Sequence, residues 1–279
     1  MIKINNENIR IRPSAIDTFY GCAYQWGKTY LEGVSSIPNA RAAIGTAIHH
    51  GIEKSWEEAM SSGTAEHNLG MMSDAAVENL KEQAKEHDLV YNEGENVNTC
   101  SAETIKGLSA WKEDISMFLA IPKAVETFYK IDINHSIVSE LGGTVDYLAK
   151  SGDGHVIDDV KTSKRKVTPA GYSTQQAIYK YLAEANGDKI NQNRIQSVVL
   201  KKEPDAHILS FEPNVSQAKT LVNGMLDALD LVAKDVAPIE TILRGNPKYT
   251  FCSQKFCAHY STCPFVNGKE TKKVQAVKL

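Results

Sequence analysis

The stretch GTVDYLAKSGDGHVIDDVKTSKRK, residues 143–166, decides the fold. Two runs rich in β-branched residues flank the turn sequence SGDG, which is typical of two strands joined by a tight turn. Asp146 lies in the first predicted strand, and Asp159 and Lys161 lie at the end of the second. Residues two apart on a strand point to the same face. We therefore expect Asp159 and Lys161 on one face with Asp146 close to both, and Asp158 on the opposite face.

Two carboxylates and an ammonium group that meet at strand ends suit the hydrolysis of a phosphodiester. Carboxylates hold Mg²⁺ or Mn²⁺, and the metal lowers the pKa of a bound water and neutralises charge in the transition state. The lysine can position that water or stabilise the negative charge that develops. The same D-x-K pattern is also typical of a solvated strand face with a weak salt bridge. The pattern alone therefore does not indicate a catalytic site, and further motifs are needed.

The apolar spacing in the remaining sequence predicts helices first and a strand-rich region later. Helices are predicted over 14–30, 41–60, 74–86, 102–130 (kinked at Pro122), 172–185 and 215–236. Strands are predicted over 135–141, 144–149, 155–161, 197–201 and 208–211, with Gly142 and Gly143 separating the first two. This order favours a single α/β domain over 1–279. Its predicted parts are N-terminal helices (1–60), a helical insertion (61–130), a catalytic core (131–236) and a cysteine-containing tail (237–279).

The composition is typical of a globular protein and does not by itself indicate a function. The 279 residues are 42% hydrophobic and 23% charged, with a net charge of −3. A chain of this size buries a stable core without needing a disulfide or a metal. We find no apolar stretch of about 18 residues and no secretory signal, so we expect a cytoplasmic protein with no membrane contact. The slight negative charge does not exclude nucleic acid, because cations can concentrate in one groove.

Two further motifs carry side chains suited to the same chemistry. GTAIH places His49 on a predicted helix, where it can serve as a metal ligand. Gln175 and Tyr179, four residues apart, share one face of the helix after the second strand, and both can contact a phosphate or orient the lysine. Taken singly, each motif is better explained without function: His49 by a surface or core histidine, and the pair Gln175 and Tyr179 by an amphipathic helix with a packed tyrosine.

In this order, the motifs GTAIH, GGTVD, IDDVKTSK and Q-x-x-x-Y make the chain resemble the RecB-like branch of the PD-(D/E)XK nuclease superfamily. The resemblance implies a restriction-endonuclease-like α/β core, a mixed sheet flanked by helices. It also implies DNA cleavage that depends on Mg²⁺ or Mn²⁺. The implied metal ligands are His49, Asp146, Asp159 and the backbone carbonyl of Val160. Lys161 is the implied catalytic lysine, and Gln175 and Tyr179 join the catalytic set.

The cysteines extend the resemblance. A subset of the superfamily, the CRISPR-associated and AddB-type iron–sulfur exonucleases, holds a [4Fe–4S] cluster with one cysteine before the histidine motif and three near the C-terminus. Cys22 matches the first, and the C-terminal trio is Cys252, Cys257 and Cys263. The resemblance therefore implies an iron–sulfur-stapled C-terminus. The family trio usually opens C-x-x-C and this one is wider, so zinc and free thiols stay as alternatives. Cys100 has no assigned role.

The predicted function is a DNA exonuclease that acts on ends or single strands in recombination, repair or phage DNA metabolism. The chain carries no G-x-x-x-x-G-K-[ST] motif, which favours a stand-alone nuclease over a fused helicase–nuclease and leaves a helicase or recombinase acting in trans as an open partner. Alternatives are a catalytically silent DNA-binding or assembly protein and a zinc-stabilised RNA nuclease. The expected location is the cytoplasm of a bacterium, or of a phage host.

Eight cationic side chains are placed where they can contact DNA phosphates, and a solvated lysine-rich loop is the alternative explanation. They are Lys164, Arg165, Lys166, Lys201, Lys202, Lys269, Lys272 and Lys273.

Overall fold

A computed structural model describes residues 2–5, 8–34, 39–254 and 256–266. In these ranges the chain forms a mixed six-stranded sheet flanked by helices, as expected from the sequence. The strands are β1 (Ile9–Ile11), β2 (Ala124–Asp132), β3 (Val138–Ser151), β4 (Gly154–Ser163), β5 (Ile190–Val199) and β6 (Asp205–Phe211). The order is β1-β3-β4-β5-β6, and β2 also pairs with β3. The β1–β3 and β4–β5 pairs are parallel and the others are antiparallel. The tail lysines Lys269, Lys272 and Lys273 lie outside the described residues.

Helices cover both faces of the sheet. They are α1 (Pro13–Gly21), α2 (Ala23–Tyr30), α3 (Ala40–Ser62), α4 (Leu69–Glu86), α5 (Val97–Asp114), α6 (Ser173–Ala185), α7 (Val215–Ala233) and α8 (Ile239–Ile242). Two apolar cores result, because alternate strand residues point to opposite faces. Ile157 of β4 belongs to the core that α1, α2, α6 and α7 share. Val156 and Val160 belong to the core formed with α3, α4 and α5. In the described parts of the chain, no helix is both long and apolar enough to cross a membrane.

The helix predicted over 102–130 is wrong in its second half. Helix α5 ends at Asp114, a short 3₁₀ turn covers Ser116–Phe118, and β2 begins at Ala124. Pro122 cannot continue a helix, because it lacks the N–H and its ring clashes with the preceding turn. The residues after it pair with β3 over nearly their whole length. A strand of the central sheet therefore begins inside the range 61–130 that was assigned to a helical insertion.

The break predicted at Gly142 and Gly143 is also wrong, because β3 runs through both residues. A Cβ at Gly143 would lie 2.7 Å from the ring of Pro13 and 3.0 Å from that of Tyr179. A Cβ at Gly142 would lie 2.9 Å from the ring of Phe128. These glycines allow neighbours to approach the strand closely and do not form a turn.

The helix predicted over 14–30 is divided at Cys22, whose backbone is extended with φ −158° and ψ 92°. Pro13 occupies the first helical position of α1, so the helix begins one residue before the predicted start at residue 14. The division places the Cys22 thiol at the junction of two helices. The other predicted helices and strands are present, with bounds that differ by up to several residues.

The strands β3 and β4 separate at the point where the predicted catalytic residues lie. Their ladder runs from Ser151 paired with Gly154 up to Tyr147 paired with Asp158, and ends there. From Asp159 onward β4 continues its pairing with β5, while β3 continues beside β2 and then β1. We call this opening the fork. Within it, the N–H of Val160 donates to the Asp146 carboxylate at 2.7 Å.

Candidate active site

Three metal-ligating side chains meet at the fork. His49 comes from α3, Glu126 from β2 and Asp146 from β3. Nε2 of His49 lies 3.0 Å from Oδ2 of Asp146 and 3.4 Å from Oε1 of Glu126. Among the described residues, this is the only set of three or more histidine, cysteine or acidic side chains whose ligand atoms all lie within 4.8 Å. One imidazole nitrogen with carboxylate oxygens is a donor set that suits Mn²⁺ and Mg²⁺.

Glu126 was not among the residues predicted from the sequence. In the β2–β3 register it lies opposite Asp146, between the pairs Val125 with Tyr147 and Thr127 with Val145. Its φ of 49° is a left-handed conformation that is costly for a residue other than glycine, and such strain concentrates at functional sites. Its Oε1 is buried without a hydrogen-bond partner in the described structure. The strand pattern after Pro122 was the available signal, and the helix assignment concealed it.

Asp159 and Lys161 lie side by side on β4, as the two-residue spacing predicted. Nζ of Lys161 is 2.5 Å from Oδ2 of Asp159, and the aspartate is 2% exposed. The ring of Tyr172 lies 5.4 Å from the same ammonium group. The ammonium is therefore held between a carboxylate and an aromatic face, at the fork.

Helix α6 contributes the predicted pair Gln175 and Tyr179. Nε2 of Gln175 donates to the hydroxyl of Tyr179 at 3.0 Å and to Oδ1 of Asp159 at 3.4 Å. Gln175 thus links the helix to the Asp159 carboxylate. Because the Tyr179 oxygen accepts from Gln175, its own proton is available to an acceptor in the fork.

Asp158 points to the other face of β4, as expected, and takes no part in the fork. Arg194 donates two hydrogen bonds to its carboxylate at 2.6 and 2.7 Å, and Gln196 donates a third at 2.5 Å. Nε1 of Trp111 donates in turn to Oε1 of Gln196 at 2.6 Å. The carboxylate is fully buried, and these contacts join α5 to the central strands.

Negative charge is crowded in the fork, and the pKa values reflect it. Burial and the neighbouring Asp146 charge raise the pKa of Glu126 to about 7. Burial, with repulsion from Asp146, raises the pKa of Asp159 in spite of the Lys161 ammonium. Burial lowers the pKa of His49, but its hydrogen bond to Asp146 and the surrounding carboxylate charges outweigh this and raise it to about 9. A cation bound here would relieve the repulsion.

Two potential proton donors keep their protons at neutral pH. Burial lowers the pKa of Lys161, but the charges of Asp159 and Asp146 outweigh it, so the net shift is upward. Burial and the Asp159 charge raise the pKa of Tyr179 well above its ordinary value. The lysine is therefore a cation, and the tyrosine is a neutral donor.

The four predicted cluster cysteines line one cavity. Cys22, Cys252, Cys257 and Cys263 surround it, and none of them forms a disulfide. Burial raises the pKa of the Cys257 thiol, and the nearby Cys22, Cys252 and Cys263 add to this shift. Cys100 is buried in the core between α3, α4 and α5, so it is a packing residue.

Exposed cations follow two neighbouring strands. Lys164, Arg165 and Lys166 follow β4, and Lys201 and Lys202 follow β5. Because β4 and β5 are parallel, both loops lie at the same edge of the sheet. Lys201 pairs with Asp205 at 2.7 Å, whereas the other four form no ion pair within the described residues. This edge therefore carries free positive charge close to the end of the strand that holds Lys161.

Comparison with known proteins agrees with this geometry. The family model of the PD-(D/E)XK nuclease superfamily matches residues 10–267. A crystal structure named "Putative exonuclease" from Eubacterium rectale has a similar fold, with a TM-score of 0.56 and 13% identity over 82% of this chain and 83% of that one. The match to the crystal structure of SSO0001 covers 50% of this chain and 59% of that one, at 18% identity. Its TM-score of 0.33 is too low to support an argument. No curated protein matches the sequence.

Proposed function

This chain belongs to the PD-(D/E)XK nuclease superfamily, and from that premise we propose that it is a metal-dependent DNA exonuclease acting on ends or single strands. The observation that carries the proposal is the fork, where a metal-ligating trio meets the Asp159–Lys161 pair. The name given to the structural relative from Eubacterium rectale supports the exonuclease mode. The intact donor set disfavours the alternative of a silent DNA-binding protein.

The residues of the fork fit a divalent cation. Oε1 of Glu126 is buried without a hydrogen-bond partner in the described chain, and it faces Nε2 of His49 and the Asp146 carboxylate. We propose that these three, together with Asp159 and the carbonyl of Val160, hold Mg²⁺ or Mn²⁺. When bound, the ion lowers the pKa of a water and neutralises charge on the phosphoryl group.

Lys161 supplies a fixed positive charge in this proposal. Its ammonium, held at 2.5 Å from Asp159, donates to a phosphoryl oxygen as negative charge develops there. The same carboxylate keeps the lysine protonated, so it does not act as a general base. Gln175 orients Asp159, and the hydroxyl of Tyr179 donates a further hydrogen bond to the phosphate.

The cationic edge beyond β4 and β5 suits the DNA backbone. Phosphate contacts by Lys164, Arg165, Lys166 and Lys202 would provide affinity that is independent of sequence and falls with salt. Recombination, repair and phage DNA metabolism all generate the free ends such an enzyme needs. In our proposal, a helicase or recombinase acting in trans supplies those ends.

We also propose that the cysteine cavity holds a [4Fe–4S] cluster. Four thiols are the ligand set of such a cluster. Tetrahedral zinc takes the same four thiolate ligands and is the rival of the cluster. The cluster would fasten the C-terminal segment to α1 and α2, where Nδ2 of Asn246 already donates to the carbonyl of Gly21 at 3.0 Å.

Digestion of end-labelled DNA tests the nuclease. Single-stranded and duplex DNA, labelled at either end, are incubated with Mg²⁺, Mn²⁺ or EDTA, beside the Asp159→Asn variant and a matched RNA. We expect degradation of DNA that EDTA and the substitution both abolish, with release of terminal label first. Cleavage that persists in excess EDTA contradicts the metal mechanism. DNA binding by folded protein without cleavage favours the catalytically silent DNA-binding protein. Preferential digestion of RNA favours the zinc-stabilised RNA nuclease.

Metal analysis tests the cluster separately. Protein purified without oxygen is assayed for iron, acid-labile sulfide and zinc, and compared with Cys22→Ser and with Cys100→Ser as a matched control. We expect about four irons per chain in the wild type and in the control. We expect loss of iron, and a lower melting temperature, in Cys22→Ser. One zinc per chain and no sulfide would select the zinc alternative, and no metal in any variant would select free thiols.

A further inference from the structure

Tyr172 takes no part in the chemistry proposed above, although its ring adjoins the proposed catalytic lysine. The Lys161 ammonium lies 5.4 Å from the centroid of the ring. A cation within about 6 Å of such a centroid is attracted by the quadrupole of the ring, more strongly where water is excluded. Here the ring is half-buried and the lysine side chain is 21% exposed. The contact can therefore influence where the ammonium lies.

The contact lies on the face of β4 that the proposed chemistry uses. Asp159 and Lys161 are two residues apart on the strand, with Cα atoms about 6.6 Å apart, and point to the same face. Val160, between them, belongs to the core on the opposite face. Nε2 of Gln175 lies 3.4 Å from Oδ1 of Asp159, and three residues earlier the Tyr172 ring covers the ammonium. The start of α6 thus contacts both members of the pair.

The backbone around Tyr172 is anchored on both sides. Before it, the N–H of Gly171 donates to the carbonyl of Thr168 at 3.1 Å. After it, Oγ of Ser173 donates to the carbonyl of Ala170 at 3.1 Å. The ring is therefore presented by a fixed backbone, directly before the first turn of α6.

A bound divalent cation would change what holds the ammonium. In the structure, Nζ of Lys161 lies 2.5 Å from Oδ2 of Asp159, and this carboxylate is also one of the ligands proposed for the metal. The ion would share the negative charge of the carboxylate and would repel the ammonium. The face of the Tyr172 ring is not a metal ligand, so its attraction for the ammonium would persist beside the bound ion.

We propose that Tyr172 is a positioning residue, whose ring keeps the Lys161 ammonium at the fork while the Asp159 carboxylate serves the metal. The proposal rests on the proposed function and adds a residue that the sequence motifs did not indicate. It requires the electron-rich face of the ring and not the hydroxyl. The ring contributes most when metal is bound, because Asp159 is then shared.

Graded removal of charge from the ring face tests the proposal. Tyr172 is replaced by Phe, by mono-, di- and trifluorinated phenylalanine, and by Leu. Single-turnover cleavage of single-stranded DNA is then measured at saturating enzyme and Mg²⁺. Fluorine withdraws electrons from the ring face and changes its size little, so a role in packing alone is not affected. We expect Tyr172→Phe to match the wild type, each fluorine to lower the rate, and Tyr172→Leu to be about tenfold slower.

Tyr181, in α6, provides a matched control. Nζ of Lys219 lies 4.0 Å from the centroid of its ring, a closer pair than the one at the fork, and neither residue contacts the fork. Tyr181→Leu should leave the cleavage rate unchanged, whatever its effect on the melting temperature. A loss of rate equal to that of Tyr172→Leu would assign the effect to α6 as a whole and overturn the proposal.

The reactivity of the Lys161 amine gives a readout that does not require cleavage. Tyr172→Leu and Tyr172→Phe are reductively methylated with formaldehyde and cyanoborohydride, in Mg²⁺ or in EDTA, and methylation of Lys161 is measured by mass spectrometry. Loss of cover raises the reactivity of Tyr172→Leu in both conditions. We expect the ratio of the two methylation rates to be several times larger in Mg²⁺, because Asp159 alone no longer holds the ammonium.

A cleavage rate that is unchanged across the fluorinated series, or a methylation ratio that Mg²⁺ does not alter, overturns the positioning role. This failure is distinct from failure of the proposed function. A wild-type protein that degrades DNA but gives either of these results refutes the role of Tyr172 alone. One that never degrades DNA, yet shows the Mg²⁺-dependent methylation ratio, refutes the nuclease and retains the role of the ring.

Discussion

Asp158 and Asp159 are consecutive residues of one strand, and their surroundings differ in almost every respect. Asp158 is fully buried and receives three hydrogen bonds from Arg194 and Gln196. Asp159 faces one ammonium group and one long amide contact, at 3.4 Å, with the Asp146 charge nearby. The first carboxylate is fully partnered, and the second lies among charges that are not balanced.

The difference shows how one strand supplies both rigidity and reactivity. The Asp158 network ties β4 and β5 to α5 through Trp111, so the strand is held from the face opposite the fork. The strain at Glu126 and the crowding around Asp159 can persist because that support is present. We expect substitutions on the two faces to separate accordingly, with losses of stability on one face and losses of activity on the other.

The largest stability effect should come from Asp158→Ala. Removing one partner leaves the partly buried Arg194 guanidinium without its counterion, and we expect a cost toward the lower end of the range of about 3–5 kcal/mol for buried pairs. Thermal and urea unfolding measure this. The double variant Asp158→Leu with Arg194→Met should recover much of the loss, because no buried charge is then left unpaired. A single variant as stable as the wild type would show that the network does not support the strand.

Lys161→Met should have the opposite effect. We expect a drop of about 10²–10³ in kcat, or about 2.7–4 kcal/mol, because a preorganised donor to the developing charge is lost. The melting temperature should fall less than in Asp158→Ala, because the buried Asp159, whose pKa is already raised, can take up a proton when the ammonium group is lost. Single-turnover kinetics at saturating DNA separate this from weaker binding. A change in KM with kcat intact would make the lysine a binding residue only.

The stability of the metal-free protein should fall as pH rises from about 5 to 9. The pKa of Glu126 is raised from 4.5 to about 7 in the folded protein, so between these two values the folded chain holds a proton that the unfolded chain has released. The contribution of Glu126 to stability is therefore lost as the pH rises to about 7. His49, raised to about 9, contributes fully below its unfolded value of 6.5 and loses that contribution as pH rises to about 9.

Differential scanning fluorimetry in EDTA across this pH range measures the trend. Saturating Mn²⁺ should make the melting temperature nearly independent of pH, because the bound metal replaces the protons. Metal binding should release about one to two protons near neutral pH. Calorimetry in buffers of different ionisation enthalpy counts them. Glu126→Gln should reduce both effects. A melting temperature that rises with pH in EDTA is the contrary result.

The smallest effect should come from Gln175→Leu, which removes the hydrogen bonds to Asp159 and Tyr179. We expect about a tenfold loss in rate, since a hydrogen bond to a charged group contributes about 1.5–3 kcal/mol and this one is long. Gln176 is the neighbouring control, because it contacts Asn193 on β5 and not the fork. Gln176→Leu should lower the melting temperature and leave the rate nearly unchanged; the reverse pattern would exchange the two roles.

Much of the fork could be predicted because strand and helix periods determine which side chains share a face. The two-residue spacing of Asp159 and Lys161 and the four-residue spacing of Gln175 and Tyr179 both correspond to contacts in the structure. His49 is identified only from the motif order, because Glu126 and Asp146, its neighbours at the fork, lie on strands that are distant in the sequence. Spacing and motif order together therefore identify six side chains that meet at the fork, counting Asp146.

The omissions have physical causes. Glu126 was missed because an apolar helix period was extended through Pro122, and because its left-handed backbone has no glycine to indicate it. The glycines of β3 resemble a turn in the sequence, whereas tertiary packing against Pro13 and Phe128 explains them. A cavity of about 300 Å³ combines the start of α3, the loop after α4, the end of β4 and the loop that holds Phe256, and no local sequence pattern joins these segments.

The most direct test of the account compares cleavage of labelled single-stranded DNA in Mg²⁺ by Asp158→Asn and Asp159→Asn. The assay is run at a temperature where both variants are folded, with EDTA as the metal-free arm. The account predicts that Asp158→Asn cleaves within about tenfold of the wild type, because a neutral amide still accepts from Arg194, while Asp159→Asn shows no cleavage. Equal cleavage by both variants, or activity of Asp159→Asn that EDTA does not abolish, would contradict it.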